Sequence, residues 1–472
     1  MQGNCQGRGR TISQADIRAS LHSVAAIAAG AAFLSWVAIW NGYPLLFSDS
    51  SRYLNGGILR YVPSEAPIFY GAFMIPLHLD GFSLWPVVAA QCLLVSYSVS
   101  AVLRALDLFE PRRFVVLMAF LALASSLPWF TAFIMPDVFT AIVVLTMFAL
   151  YRGWQIFRPL ERAFLAGLAL LGISSHVSHL VLGLGLALLL IALGLLRHRM
   201  PPRLAAMLIA LPVMALMAVA AANLVSKGSP VLSRNGPVFL LARAYADGPA
   251  YEYMREHCDE RKWKLCVVLP VLARDSELFL WGERSVWDLG IPDSGIRSEA
   301  AEIVSGTIAE RPGRMAVLAV SNALQQVVTF RAGVDFKRWP DSDRVLTVTG
   351  VIRKFFPHEY ARFMSSRQQT ARLETAAPNL FYSGVILLSS IGLLLLLARL
   401  QEADTTEFAI VVVAALLANA AATAPLSVVA DRYQSRIVWL LPFAFAVSLL
   451  ALQRRRAARP VLAADRSLES SP

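Results

Sequence analysis

Charge is scarce in this chain. Of 472 residues, 16% are Asp, Glu, Lys or Arg, against roughly 25% in an ordinary soluble protein. Apolar residues make up 57%. That composition excludes a disordered chain and argues against a single soluble core. There are four cysteines, Cys5, Cys92, Cys258 and Cys266, with no CxxC or zinc-type spacing. The sequence has no Walker A motif, no GxGxxG after a strand, no HExxH and no GxSxG. Nucleotide chemistry on the cytoplasmic side therefore has no sequence support.

Long apolar runs are what the chain does have. A bilayer crossing needs about 20 apolar residues. Ten runs qualify as expected spans: 22–40, 84–106, 114–130, 137–152, 162–176, 178–196, 204–225, 379–398, 407–425 and 435–452. Residues 162–196 are too long for one crossing, and the polar stretch Ser174, Ser175, His176, Ser178 and His179 predicts a turn. The first run reads as an anchor rather than a cleaved signal, because it continues through Trp36 to Trp40. The fold expected is an all-α polytopic membrane protein of about ten transmembrane helices. A seven-helix module over 1–225 precedes a polar, mainly helical extracytoplasmic block over 226–378. Three helices over 379–452 and a basic tail over 453–472 complete it.

The net charge of +11 sorts by side. With both termini cytoplasmic, the inner tails and short inner loops hold 18 Lys and Arg, and the short outer loops hold four. This is the positive-inside pattern. It explains the basic balance without nucleic acid as a partner. Membrane lipids are the partners that follow directly.

Two outer segments stand out. The first outer loop, 41–83, is long and apolar, and 66–79 within it reads as interfacial or re-entrant. Residues 314–330 place Ser321, Asn322, Gln325, Gln326 and Thr329 on one helical face, opposite Val317, Val320 and Leu324. That pattern predicts an amphipathic helix on the outer membrane surface. In the polar block, Cys258 and Cys266 face the oxidising side and are a disulfide candidate.

Candidate chemistry gathers at the outer face. Asp49 follows the first span, with Arg52 and Tyr53 beside it, and Asp137 opens the fourth. Each acid alone reads first as a helix cap. Two carboxylates from different loops make a stronger candidate than either one. His176 and His179 could contact a phosphate or a metal, or simply satisfy their turn. Arg432, Tyr433 and Arg436 open the last span against the positive-inside trend. Their partner is a lipid phosphate or, alternatively, Asp431.

This layout resembles the GT-C superfamily of integral membrane glycosyltransferases, in particular the lipid A aminoarabinose and galacturonic acid transferases and the protein mannosyltransferases. Asp49 in FSDSSRYL corresponds to the family's first-loop acid and Asp137 in MPDVFTA to its second. Arg432 and Tyr433 in DRYQSR correspond to a late Arg-Tyr pair, and the spans up to 225 to the seven-helix core. The resemblance implies inverting transfer of a sugar from a polyprenyl phosphate donor to a cell-envelope glycan or lipid. Asp49 and Asp137 would be catalytic. Arg432 and Tyr433 would bind substrate, and the reading of the residues themselves adds Arg52, Tyr53, His176, His179 and Arg436 as substrate-binding candidates. The site would face the periplasm of a bacterial inner membrane. No metal ligand set is assigned and no cofactor is firmly implied, with a divalent cation left open. A transporter, flippase or assembly protein for lipid-linked polysaccharide is the alternative.

Overall fold

The computed structural model describes residues 14–400 and 403–469. Cys5, Arg8 and Arg10 lie outside the described residues. Among those described, regular structure is entirely helical, and the sole extended pairing is an isolated bridge between Leu45 and Phe133.

The N-terminal helices are α1 (Gln14–Leu34) and α2 (Trp36–Asn41), followed by α3 (Ser48–Ile58) and α4 (Phe69–Met74) in the first long loop. The bundle continues with α5 (Trp85–Ala105), α6 (Pro111–Ala124), α7 (Leu127–Thr131), α8 (Val138–Gly153), α9 (Pro159–Ser174), α10 (Val177–Leu196) and α11 (Pro202–Lys227). The polar block holds α12 (Gly236–Ala246), α13 (Pro249–Arg261), α14 (Ser276–Trp281), α15 (Asp293–Glu310), α16 (Pro312–Val327), α17 (Val348–Phe355) and α18 (Tyr360–Met364). Last come α19 (Ala376–Leu400), α20 (Ala403–Thr423), α21 (Asp431–Val438) and α22 (Leu440–Glu469).

Seven helical segments among the described residues are long and apolar enough to cross a membrane: Ser20–Asn41, Trp85–Ala105, Val177–Leu196, Pro202–Lys227, Ala376–Arg399, Ala403–Leu426 and Asp431–Ala457. The other three expected spans are shorter helices: α6 has 14 residues, and α8 and α9 have 16 each. At 1.5 Å per residue, 16 residues reach about 24 Å. The expected span 114–130 is not continuous. Ser125 is extended, and the chain restarts as α7 at Leu127. The Ser126 hydroxyl there donates to the Ser435 carbonyl at 2.6 Å, which ties the break to α21. The turn between α9 and α10 falls at Ser175–His176, within the polar stretch.

The expected block 226–378 divides in two. Residues 238–304 supply their own apolar core, including Tyr245, Phe279 and Ile303. Cys258 and Cys266 are bridged in this unit. Residues after α16 join the main core instead, through Val351, Ile352, Phe356 and Phe363. They form a strap across the first long loop. The Gln368 side-chain amide donates to the Leu46 carbonyl, and the buried Glu359 carboxylate accepts from Tyr43 and Ser83. The Trp339 indole also donates to the Leu46 carbonyl. These bonds satisfy loop backbone that no helix ladder could reach.

Within the loop, α3 and α4 cross at two glycines. A Cβ at Gly57 would stand 2.6 Å from the Gly71 carbonyl oxygen, closer than any side chain allows. Helix α16 is amphipathic as the pattern predicts, with its apolar face outward. Val317, Val320, Leu324 and Val328 are exposed, whereas Asn322 and Gln326 are buried. The Gln326 amide exchanges two hydrogen bonds with the Ala430 backbone. Outward apolar residues on a polar-anchored helix suit a lipid boundary.

Candidate functional site

Five helices converge at one point. Asp49 lies in the first turn of α3, and Asp137 precedes α8. Arg432 and Arg436 sit one turn apart on α21. Asn419 comes from α20 and Ser178 from α10.

Neither acid caps its helix. Asp137 occupies the N-cap position of α8, yet its side chain makes no cap hydrogen bond. It turns to the arginines instead. Its Oδ1 lies 3.2 Å from the Arg436 guanidinium and 3.8 Å from Arg432 Nε. Asp49 Oδ2 lies 3.9 Å from Arg432 Nη1, and Oδ1 lies 3.4 Å from Arg52. One guanidinium, Arg432, therefore touches both carboxylates.

Burial grades across the cluster. The Arg436 and Asp137 side chains are 0% and 2% exposed, Arg432 is 11% and Asp49 is 30% exposed. A buried ion pair survives only with further hydrogen bonds. Arg436 has them: Nη2 donates to the Asn419 amide oxygen at 2.8 Å and to the Ser178 hydroxyl at 3.1 Å. The Asn419 amide nitrogen donates to the Tyr433 carbonyl at 2.6 Å, locking the first turn of α21. The Tyr433 ring packs against both guanidiniums, 5.1 Å from Arg432 and 5.2 Å from Arg436. Phe47 covers Arg432 at 4.4 Å, in cation–π geometry. Asp431 is no partner of these arginines, because Arg331 holds it with three side-chain hydrogen bonds.

Arg432 is less satisfied than Arg436 Nη2. Its Nη1 is buried, makes no hydrogen bond, and meets Asp49 only at ion-pair distance. That atom is an available donor between an accessible acid and a buried one.

The two histidines act as supports. His179 Nδ1 meets the Gly172 carbonyl at 2.8 Å and Nε2 meets the Thr140 hydroxyl at 2.7 Å. Both ring nitrogens are committed, which leaves none to ligate a metal. His176 Nδ1 accepts from the Ser178 N–H at the start of α10 and meets the Ser178 hydroxyl. It thereby fixes the serine that receives Arg436. Tyr53 is buried against Tyr70, and burial pushes its phenol well above the usual range, keeping it neutral.

Sequence reasoning missed Asn419, Ser178 and Asp335. Asn419 carried a signal, being a lone amide inside the apolar run ALLANAAAT. Asp335, on the strap, lines a small cleft with Arg432, Ser435 and Phe336. Burial raises its carboxyl above the usual range, and Arg432 partly offsets this. Nothing in AGVDFKRW announces it. Arg52 also stacks over Trp281 of α14 at 4.9 Å, so the separately cored unit reaches the site.

Among the described residues, one trio brings potential metal-ligand atoms within 4.8 Å of one another: Glu256, His257 and Glu310. It belongs to the disulfide-bearing unit and includes neither Asp49 nor Asp137. Comparison of the whole chain with protein-family models, with curated proteins and with solved structures returns no match.

Proposed function

We propose that this chain is a GT-C-type membrane glycosyltransferase. It would move a sugar from a polyprenyl phosphate donor to a cell-envelope acceptor at the outer face of a bacterial inner membrane. One observation carries the reading: Asp49 and Asp137, from different loops, meet at a single guanidinium that retains a free donor.

Each residue then has a task. The accessible Asp49 takes the proton of the acceptor hydroxyl. The hydroxyl oxygen attacks the anomeric carbon, and the bond from that carbon to the phosphate oxygen breaks. The electron pair leaves with the lipid phosphate. Arg432 Nη1 donates to that phosphate and offsets its charge. Asp137 is enclosed and acts as a positioning residue that holds Arg432 and Arg436. A single displacement inverts the sugar.

The ten-span layout with cytoplasmic termini belongs to the same proposal. The charge asymmetry supports it, as does a disulfide in the unit assigned to the oxidising side. In this layout α6, α8 and α9 cross as short helices within the bundle.

Asp49→Asn tests the chemistry. Loss of a general base costs typically 10²–10⁴-fold. The envelope glycan should therefore lack one sugar by mass, with normal insertion of the protein. Unchanged glycan in a well-expressed Asp49→Asn strain rejects the reading in favour of transport or assembly.

A further inference from the structure

A second polar cavity lies at the other end of α3. Asp49 is in the first turn of that helix, and Gly57 and Ile58 in its last turn border the cavity. It has a volume of about 150 Å³ and is lined by Arg60, His78, Asp80, Gly81, Ile75 and Phe355 among others. A cavity of roughly this size can hold one six-membered ring.

Three features mark it as built for a ligand. The first is backbone conformation. Arg60, Leu79 and Asp80 have φ values of 55°, 50° and 52°. They are three of the seven non-glycine residues with positive φ among the described residues. Such conformations are rare and cluster at ligand clamps. Gly81, at φ 86°, completes the turn beneath the Phe355 carbonyl, where a Cβ would sit 2.3 Å from the oxygen.

The second is exposed charge of both signs at one opening. Arg60 and Asp80 line the same cavity, yet among the described residues neither side chain has an ion-pair or hydrogen-bond partner. The third is an orphan donor. His78 Nδ1 accepts from the Gly81 N–H at 3.1 Å, which places the ring proton on Nε2. That N–H has no partner, although the residue is only 5% exposed.

The surroundings identify the occupant. Leu59, Leu79 and Phe82, each next in sequence to a residue of the polar lining, are large exposed apolar residues. The apolar helix α5 begins at Trp85, four residues after Gly81. Trp85–Ala105 is long and apolar enough to span, and the end of a span marks the membrane interface. The cavity thus lies at headgroup height with an apolar rim.

We propose that it binds one zwitterionic phospholipid bearing a primary ammonium, with the headgroup in the cavity and an acyl chain along the rim. The phosphodiester accepts from Arg60 and from the His78 Nε2–H. The ammonium donates to Asp80. A quaternary ammonium has no N–H for Asp80, and a glycerol headgroup has no cation. Ethanolamine phospholipid is therefore preferred over the choline and glycerol lipids.

The test is native mass spectrometry of the full-length protein after exchange into equal amounts of ethanolamine, choline and glycerol phospholipids. The wild type should retain one ethanolamine lipid preferentially. The variant R60Q/D80N, altered at exposed side chains, should lose that preference by about tenfold, as two exposed ion pairs warrant. Its melting temperature checks that it is folded. Equal retention of all three lipids, or unchanged preference in the folded double variant, overturns the proposal. Displacement of the lipid by millimolar phosphoethanolamine would also overturn it, by making the soluble compound the ligand.

Discussion

Asp137 and Arg436 form a buried ion pair whose hydrogen bonds come from Asn419 and Ser178. Removing one partner of such a pair typically costs 3–5 kcal/mol, because the other charge stays buried and unpaired. Arg436→Met should therefore lower the thermal midpoint of the purified protein sharply. Adding Asp137→Asn should restore part of the loss. A double-variant loss equal to the sum of the two single-variant losses would show that the two are not coupled. Asp335 gives a pH-dependent expectation. Its carboxyl is raised by burial, so its stabilising contribution is complete below the ordinary carboxyl range. That contribution is lost as pH rises through the raised folded value. Asp335→Asn should thus raise the midpoint at neutral pH, with the gain fading toward about pH 4. A gain that does not change with pH would contradict this origin.

At the scale of elements, polar side chains decide what the apolar runs leave open. Helix α16 was legible because its Ser, Asn, Gln and Thr residues fall on one face. The turn between α9 and α10 was legible because serines and histidines interrupt a long apolar run. The break between α6 and α7 was not, because Ser125–Ser126 and Pro128 sit in a run that still averages apolar. The strap after α16 was also hidden. It is held by long-range bonds from Gln368, Glu359 and Trp339 to loop atoms, and no periodicity encodes those. The Asp49 and Asp137 candidates could be read in sequence as acids at helix starts. Their union through Arg432 could not, since Arg432 lies on a different helix hundreds of positions further along the chain. The disulfide closes a short loop between Cys258 and Cys266, eight positions apart. The loop-entropy relation puts its contribution at about 2.5 kcal/mol. Cys258→Ser with Cys266→Ser should lower the unfolding midpoint of the disulfide-bearing unit while the membrane bundle keeps its own. Proteolysis followed by peptide mapping would show which part opens first.

For the whole molecule, orientation connects charge to chemistry. In the proposed orientation the tails and loops with the excess of Lys and Arg lie inside, and the disulfide-bearing unit and Asp49 lie outside. After reduction of intact cells, a membrane-impermeant maleimide should label Cys258 and Cys266 but not Cys5. The reverse pattern would put the candidate site in the cytoplasm, where lipid-linked donors are no longer the natural energy source. The second cavity and the Asp49 cluster occupy opposite ends of α3, so lipid binding and catalysis can be altered separately.

The central claim is that a sugar–phosphate bond breaks at Asp49. The direct measurement uses purified protein in liposomes with polyprenyl-phosphate-linked sugars and an envelope acceptor fraction. Free polyprenyl phosphate and glycosylated acceptor are followed together. The account predicts equal amounts of the two from the wild type and neither from Asp49→Asn. Movement of intact lipid-linked sugar across the bilayer, with no polyprenyl phosphate released, would contradict it and make the chain a transporter.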